Sequence, residues 1–240
     1  MPKRILILGG TGLARQAAAV LVEQGLDVIY SLAGVTHSPS LPKGNVRVGG
    51  FGGVEGLRAY VLAEKIEQVV DATHAFAKQM SGNAVAACAQ ENIPFVRLES
   101  PPWQFQAGDQ WIEVAIVAEA VHALPQGSKA VVTVGRKEAA SFFARADLSG
   151  AIRMIEPPLV PAPQGWKLLL ERPPFTKAAE IDLLRTTGAD YLVSKNAGGP
   201  RPAKLDAAAA LGLPVIMWQR PVKAAARTVY TVEQLFSQLA

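Results

Sequence analysis

The feature that most constrains this chain is an apolar run near the N-terminus that passes directly into a glycine-rich turn. Residues 5–16 read ILILGGTGLARQ, so four apolar residues precede the turn and a helical pattern follows it. In a dinucleotide-binding fold the first strand ends in glycines, because backbone amides must approach a diphosphate at the N-terminus of a helix. This order therefore favours nucleotide binding over the alternative, a tight turn without a ligand.

The turn departs from the usual pattern at one position. Three residues after Gly12, where a third glycine is common, the chain has Arg15. An arginine does not allow the close packing of helix on sheet that glycine allows, so we expect its side chain to point outward or to reach back towards a phosphate. The cofactor-binding residues predicted from this turn are Gly9, Gly10, Thr11, Gly12, Leu13 and Arg15.

The end of the second predicted strand indicates which dinucleotide would bind. NAD-binding proteins tend to place Asp or Glu there, for the ribose hydroxyls. Here the segment DVIYSLAG ends in small residues, and the cofactor contacts predicted from it are Ser31, Ala33 and Gly34. A small hydroxyl leaves room for a 2′-phosphate, which favours NADP over NAD. The alternative is that Ser31 only caps the strand.

Short β-branched runs alternate with alanine- and leucine-rich helical stretches along the chain. In the first half the predicted strands are RILIL, DVIY, VRV, QVVDAT and PFVRL, with helices that begin near Leu13, Val54 and Phe76. Alternation at this spacing predicts a parallel sheet covered by helices on both faces, here with its strands in the order 3-2-1-4-5.

A rigid segment at residues 100–103, SPPW, divides the chain, and the pattern then restarts. The second half contains the predicted strands AVVTV, AIRMI, KLLL, DYLVS and PVIMW, a helix from Lys137 and a last helix from Val232. We therefore predict an α/β protein of two similar lobes. Residues 1–99 would form a dinucleotide-binding domain, and residues 100–240 a second domain that contributes to substrate binding.

The composition of the chain argues against several classes of protein. Half of the 240 residues are hydrophobic and 18% are charged, as in globular proteins, and no apolar run is long enough to cross a bilayer. The lack of a signal-peptide pattern and the single cysteine, Cys88, which we expect in a helix core, favour a cytoplasmic location. The net charge of +4 is too scattered for nucleic acid and suits an anionic small molecule. No metal site is expected, because His37, His74 and His122 lack metal-ligand spacing.

Tyr191 and Lys195 have the Tyr-x-x-x-Lys spacing of short-chain dehydrogenases, whose chemistry needs both residues on one helix. The residues between them belong to a predicted strand, on which positions four apart are separated by about 13 Å. The pair is therefore not expected to act together. Lys195 remains a candidate on its own, because it ends a predicted parallel strand, where α/β folds bind their ligands.

Four stretches together resemble one family. They are GGTGLAR at residues 9–15, VDATHAFAKQMSGNA at 70–84, RLESPPW at 97–103 and SKNAGGPRPAKLDAA at 194–208, followed by QRP at 219–221. In this order they resemble the precorrin-6A reductase family of cobalamin biosynthesis. The resemblance implies NADPH-dependent reduction of one ring double bond of precorrin-6A to precorrin-6B, by a hydride from the nicotinamide C4 and a proton. It also implies two Rossmann-like lobes with parallel sheets and a cleft between them.

The chain departs from this family's pattern in two places. An arginine often follows the second strand in an Ala-Gly-Arg-Thr context, and Val35 occupies that place here. If that arginine binds the 2′-phosphate, NADPH selectivity depends on a substitute such as Arg15, His37 or Lys43. A proline that often follows the family's Thr-His pair is Ala75 in this chain, which should alter the helix start only slightly.

The segment DATHAF ends the fourth strand beside the glycine turn, where a nicotinamide ribose or amide would lie. Ala72, Thr73 and His74 are therefore further predicted cofactor contacts, and Asp71 could orient His74 or cap helix amides. For Thr73 the alternative is a helix N-cap. No catalytic residue is assigned, and the candidates are Lys195, His74 and Thr73.

The macrocycle that the resemblance implies carries propionate and acetate arms, and basic residues lie at the predicted strand ends. The predicted substrate contacts are Ser81, Arg97, Trp103, Arg136, Lys137, Lys195, Asn196, Gly198, Gly199, Arg201 and Lys204. For each basic residue the alternative is a solvated surface charge. Two other functions stay open: a different NADP-linked reductase or epimerase, and a non-catalytic NADP-sensing protein that binds a partner through the second lobe.

Overall fold

The computed structural model describes residues 2–34 and 44–239. Within these ranges the chain forms two compact units, each built on one six-stranded parallel sheet. Helices pack on both faces of each sheet. The α/β class with two parallel-sheet lobes, expected from the alternation of strands and helices, is confirmed.

The elements follow one another along the chain as strands and helices in near-regular alternation. The first stretch forms β1 Arg4–Leu8, α1 Gly12–Glu23, β2 Asp27–Leu32, β3 Asn45–Val48, α2 Val54–Ala63, β4 Gln68–Asp71, α3 Lys78–Gln90 and β5 Phe95–Leu98. The middle stretch forms β6 Trp111–Val114, α4 Val117–His122, β7 Lys129–Thr133, α5 Ala139–Phe143, β8 Ser149–Met154, β9 Trp166–Leu170, α6 Lys177–Thr187, β10 Tyr191–Lys195, α7 Ala203–Ala210 and β11 Val215–Trp218. The last stretch forms β12 Thr228–Val229 and α8 Val232–Leu239.

The two sheets share one plan. Their strand orders are β12-β5-β4-β1-β2-β3 and β6-β11-β10-β7-β8-β9, so β7 takes the central place of β1 and β10 takes that of β4. The 3-2-1-4-5 order expected for the first lobe is present, with β12 added beyond β5. Because all strands of a sheet are parallel, their carboxyl ends lie at one edge, and ligands bind at this edge in such folds.

The second sheet is built from six consecutive strands, β6 to β11, whereas the first sheet takes its sixth strand, β12, from the C-terminal part of the chain. β6 follows β5 in sequence but pairs with β11, whereas β12 follows β11 but pairs with β5. The first unit therefore comprises Met1–Pro101 and Pro221–Ala240, and the second comprises Pro102–Arg220. The expected division after residue 99 lies two residues before the observed one. The expectation that residues 221–240 belong to the second domain is corrected, because β12 joins the first sheet and α8 packs in the core around α1.

The side chains of β1 show why the four residues after Arg4 are all apolar. Ile5 and Ile7 pack in the core with α1 and α8, while Leu6 and Leu8 pack on the other face with α2 and α3. A strand covered by helices on both faces is apolar along its buried part, because side chains on both sides of it face a core. Cys88 is buried on α3, as expected, and burial raises the pKa of its thiol to about 12.

Several boundaries differ from the expected ones. α3 begins at Lys78 instead of near Phe76, and α5 begins at Ala139 instead of Lys137. The sequence pattern does not indicate β6, α4, α6 or β12. β12 has only two residues, and α6 is exposed along most of its length, so its apolar period is weak. Tyr191 and Lys195 both lie in β10, which confirms that they do not form a helical pair.

None of the helices in the described ranges is long and apolar enough to span a membrane.

Candidate functional site

The glycine turn between β1 and α1 is an open loop at the carboxyl end of β1. Gly10 has a φ of 120°, which residues with side chains rarely adopt. Thr11 caps α1: its Oγ1 accepts the Ala14 N–H at 3.0 Å, and its hydroxyl donates to the Ala72 carbonyl at 3.0 Å. The backbone N–H groups of residues 11–13 donate no hydrogen bond to an acceptor among the described residues. The turn thus presents backbone donors at a helix N-terminus, a geometry that binds phosphate.

The side chain of Tyr30 in β2 packs against this turn. This role was not predicted from the sequence. Its Cζ lies 2.3 Å from the position that a Cβ on Gly9 would occupy, so its ring explains why this residue is glycine. The Tyr30 hydroxyl oxygen accepts the Gly10 N–H at 3.1 Å, and the side chain is buried. Burial raises the pKa of Tyr30, so the hydroxyl keeps its proton. A tyrosine directly after the aliphatic residues Val28 and Ile29 is the only sequence signal for this role.

Arg15 lies along the same turn. Its Nη2 is 3.7 Å from the position that a Cβ on Gly12 would occupy, and its charge opposes the rise in the pKa of Tyr30. Of the two expected orientations, the structure has the one in which the guanidinium stays near the glycine turn. Its positive charge adds to that of the helix N-terminus.

At the end of β2 the structure places an arginine that sequence reasoning missed. Ser31 is buried and lies in register with Arg47 of β3, whose Nη1 is 3.4 Å from Ser31 Oγ. The Arg47 guanidinium lies 3.8 Å from the centre of the Phe51 ring and 4.9 Å from that of Tyr60. Its Nη2 donates to the Gly50 carbonyl at 2.8 Å. An arginine held between aromatic rings is thus fixed beside the strand end where a 2′-phosphate is expected.

The residues that follow β2 are only partly described. Ala33 and Gly34 are exposed, and Gly34 has a φ of 76°. Val35, His37 and Lys43 lie outside the described residues. Whether His37 or Lys43 substitutes for the arginine of the family pattern therefore stays a prediction.

A buried network of charged and hydroxyl side chains lies at the carboxyl end of β4. Asp71 Oδ1 accepts the Thr73 N–H at 3.2 Å and the Thr73 hydroxyl at 2.6 Å. Asp71 Oδ2 lies 3.3 Å from Arg97 Nε and accepts the Ser81 hydroxyl. Arg97 Nη2 also donates to Ser81 Oγ at 3.1 Å and to the Ala224 carbonyl at 3.0 Å. This network fixes the backbone that leads from β4 towards α3.

The network corrects three expectations. The N-cap of α3 is Ala77, so Thr73 does not cap that helix, and its hydroxyl binds Asp71 instead. Asp71 binds Thr73 and Arg97 instead of capping the amides of α3. Ser81 and Arg97 are 0% and 6% exposed, so as they stand they support the loop and offer almost no surface to a substrate.

His74 lies in the exposed turn that follows. Its Nδ1 accepts the Phe76 N–H at 3.2 Å, and its carbonyl accepts a hydrogen bond from Lys223 Nζ at 3.4 Å. Lys223 also lies 3.6 Å from Glu99 Oε1, and burial lowers its pKa. The segment that leads to β12 therefore holds the turn in place. Sequence reasoning had no signal for this contact, because 149 residues separate Lys223 from His74.

In the second unit, predicted substrate contacts cluster at the end of β10. Lys195 Nζ lies 3.1 Å from Glu138 Oε1 and 4.8 Å from the centre of the Trp218 ring, and burial lowers its pKa. Asn196 binds the backbone of Trp103 twice: Oδ1 accepts its N–H at 2.8 Å, and Nδ2 donates to its carbonyl at 3.2 Å. The structure therefore fixes Trp103 against the residue that follows Lys195.

The turn before α7 is glycine-rich, and its arginine is neutralised. Gly198 and Gly199 have φ values of 76° and 86°, which glycine adopts most readily. The Arg201 guanidinium lies 2.5 Å from Asp109 Oδ1 and 2.6 Å from Asp206 Oδ1. Two carboxylates thus bind Arg201, which stabilises the turn. This corrects the expectation that its charge is available to the substrate.

Three of the predicted cations have no carboxylate within 4.0 Å among the described residues: Arg136, Lys137 and Lys204. Arg136 and Lys137 lie in the turn between β7 and α5, where Lys137 is exposed and Arg136 is half-buried. Lys204 lies in the first turn of α7, and its Nζ donates to Thr133 Oγ1 at 2.8 Å. The positive charges of these side chains are therefore not neutralised by a nearby carboxylate within the described ranges.

A family model described as precorrin-6x reductase CbiJ/CobK matches residues 4–240 of the chain. The chain is 46% identical to the precorrin-6A reductase of Rhodococcus erythropolis over 221 residues, and this match covers 91% of this chain and 89% of that protein. It is 42% identical over 240 residues to the precorrin-6A reductase of Rhodobacter capsulatus, with coverage of 99% and 96%. The cobalt-precorrin-6A reductase of Priestia megaterium is 29% identical over 245 residues, with coverage of 95% and 94%. A solved structure titled CobK precorrin-6A reductase matches with a TM-score of 0.93 and 41% identity, over 99% of this chain and 96% of that one.

Proposed function

The chain belongs to the precorrin-6x reductase family, and we propose that it uses NADPH to reduce one ring double bond of cobalt-free precorrin-6A to give precorrin-6B. The more similar of the relatives described above are named precorrin-6A reductase, and the one named for the cobalt-containing substrate is more distant. That ranking supports the cobalt-free macrocycle as the substrate.

The observation that carries the cofactor assignment is the open glycine turn. Its N–H groups at residues 11–13 have no acceptor among the described residues, and the positive φ of Gly10 directs the chain around a space that a side chain would narrow. A diphosphate fits this donor set, because it supplies the acceptors that the start of α1 lacks. Arg15 adds a positive charge at the same turn.

The end of β2 supports NADPH over NADH. Residues 31–34 carry no carboxylate that would bind the ribose hydroxyls of NADH and repel a 2′-phosphate. Arg47 lies beside Ser31 and is held by Phe51 and by backbone carbonyls. A fixed guanidinium next to this strand end is the kind of group that binds a phosphate.

NADPH, when bound, supplies the hydride, and the side chains of the protein position the reactants and handle the proton. Asp71 fixes Thr73, and Lys223 binds the His74 carbonyl, so the loop that would contact the nicotinamide is held from both ends. Lys195 is our candidate for the donor of the proton that the second carbon of the reduced double bond receives. Burial lowers the pKa of its ammonium group, which makes it a stronger acid, and Glu138 orients it.

The activity is tested by following NADPH absorbance with purified precorrin-6A, with parallel reactions that contain NADH or cobalt-precorrin-6A. We expect oxidation of NADPH only when the cobalt-free macrocycle is present, and slower oxidation of NADH. Oxidation with cobalt-precorrin-6A alone would reassign the substrate. If NADPH bound to the protein but neither macrocycle promoted its oxidation, the NADP-sensing function would replace the reductase.

A further inference from the structure

Lys223 is a buried lysine in the return segment, residues 221–227, which leads the chain from β11 to β12. Its side chain is 6% exposed, and its Nζ donates to the His74 carbonyl at 3.4 Å and lies 3.6 Å from Glu99 Oε1. Burial of an ammonium group costs free energy unless partners compensate it. The pair with Glu99 compensates part of that cost, and the contact with His74 directs the charge to a turn of the proposed cofactor site.

The return segment is held in place independently of the contact with His74. The Arg97 N–H donates to the Arg227 carbonyl at 2.8 Å, and Arg97 Nη2 donates to the Ala224 carbonyl at 3.0 Å. Beyond these residues β12 pairs with β5. Because these bonds fix the chain directly after Lys223, the ammonium group has a defined position from which it holds the turn.

The turn that Lys223 contacts, the His74 turn, comprises residues 72–77 and follows β4. Its first residue is bound to the glycine turn, because the Thr11 hydroxyl donates to the Ala72 carbonyl at 3.0 Å. Ala72 and Ala75 are buried, whereas His74 between them is exposed. The turn therefore presents His74 at the carboxyl edge of the first sheet, next to β1, where the nicotinamide half of the cofactor is expected.

We propose that Lys223 is a positioning residue: its ammonium group holds the His74 turn in the conformation that receives the nicotinamide half of the cofactor. This inference rests on the proposed function for the identity of the cofactor. Lys223 acts through a backbone carbonyl, so we assign it neither a contact with the cofactor nor a role in proton transfer. Loss of its charge should affect the nicotinamide half and leave the adenosine half, which is assigned to the glycine turn and the end of β2, unchanged.

The charge of Lys223 gives this role a pH dependence of a definite sign. Burial lowers the pKa of Lys223, Asp71 and Glu99 oppose the shift, and Arg97 adds to it. His74, the other titratable residue in contact, binds Lys223 through its carbonyl. A neutral amine loses the ion pair with Glu99 and donates more weakly to a carbonyl. The turn is therefore held at low pH and released as the pH rises through the lowered pKa of Lys223.

The test compares the wild type with K223M, K223R and the control K78M, which removes an exposed lysine at the start of α3. Calorimetry measures the binding of NADP⁺ and of adenosine 2′,5′-bisphosphate, which lacks the nicotinamide half, at neutral and alkaline pH. We expect K223M to weaken NADP⁺ binding by about three- to tenfold, with binding of the bisphosphate unchanged and K78M like the wild type. K223R should bind NADP⁺ normally at neutral pH and lose the weakening that the wild type shows at alkaline pH, because arginine stays protonated.

The proposal fails if K223M binds NADP⁺ as the wild type does, or if it weakens both ligands by the same factor. The second result, together with a lower Tm of the free protein, would assign Lys223 to stability alone. If K223M does not fold, the pH comparison decides, because a weakening at alkaline pH that persists in K223R overturns the proposal.

Failure of the proposed function gives different results. A wild type that binds neither ligand would overturn the cofactor assignment and this proposal with it. A wild type that binds NADP⁺ but does not oxidise NADPH with precorrin-6A would overturn the reductase alone, and the two affinities would still decide the role of Lys223.

Discussion

The two units use one sheet plan but end their central strands in different ways. After β1, glycines at residues 9, 10 and 12 lead into α1, a helix of 12 residues capped by Thr11. After β7, the turn carries Arg136 and Lys137 and leads into α5, a helix of five residues without a side-chain cap. The first turn offers backbone amides, whereas the second offers long cationic side chains.

This difference matches two kinds of anion. A diphosphate is compact, and several amides of one turn can surround it once side chains are absent. Carboxylate arms on a large ring are spread out, so charges on flexible side chains reach them better than a single turn does. We therefore propose that the same topology supports cofactor binding in one unit and substrate binding in the other.

The largest effect is expected from the carboxylate that supports the first unit. Asp71→Ala leaves the buried Arg97 without its partner, which should lower the free energy of unfolding by about 3–5 kcal/mol. The matched variant in the second unit, Asp206→Ala, should cost about 1 kcal/mol or less, because Arg201 keeps Asp109 and Asp206 is partly exposed. Urea unfolding of both variants measures this difference. Equal losses would show that the two networks support their units to the same degree.

A smaller and more selective effect is expected from the two glycine turns themselves. Gly10 and Gly135 have φ values of 120° and 98°, so Gly10→Ala and Gly135→Ala should each introduce strain of about 1–3 kcal/mol. Only Gly10→Ala should weaken NADPH binding, by about tenfold, because only the first turn is assigned to the diphosphate. Titration of NADPH fluorescence compares the two proteins, with thermal unfolding to confirm similar strain. Similar loss of NADPH affinity in both would remove the functional distinction between the turns.

The central strands and the glycine turn could be predicted from the sequence because local pattern determines them. The run ILIL at residues 5–8 must be apolar when helices cover both faces of its sheet, and a φ of 120° at Gly10 requires glycine. The partners of these elements could not be predicted in the same way. Lys223 contacts His74 across 149 residues, and β12 joins β5 although it follows the second unit. Such contacts depend on which distant segments the fold brings together, and a short stretch of sequence carries no information about its distant partners.

Contacts between distant segments also explain why some of the predicted substrate-binding cations are neutralised in the structure. Strand-end position alone suggested that Arg97, Arg201 and Lys204 are equivalent cations. Their availability depends on carboxylates that arrive from elsewhere: Asp71 neutralises Arg97, and Asp109, 92 residues away in sequence, neutralises Arg201. Sequence spacing identified the edge of the sheet but not the partners that meet there.

The smallest effect is expected from the cations of the second turn. Arg136 and Lys137 have no carboxylate within 4.0 Å among the described residues, and Lys137 is exposed. The double variant R136Q/K137Q should raise the substrate KM about two- to fivefold, with the KM for NADPH unchanged. Because solvent screens these charges, the difference from the wild type should shrink as salt is added, whereas the loss in G10A should persist. The control K167Q removes an exposed charge from β9. If it matched the double variant, the effect would reflect net charge, and the second turn would have no specific role in substrate binding.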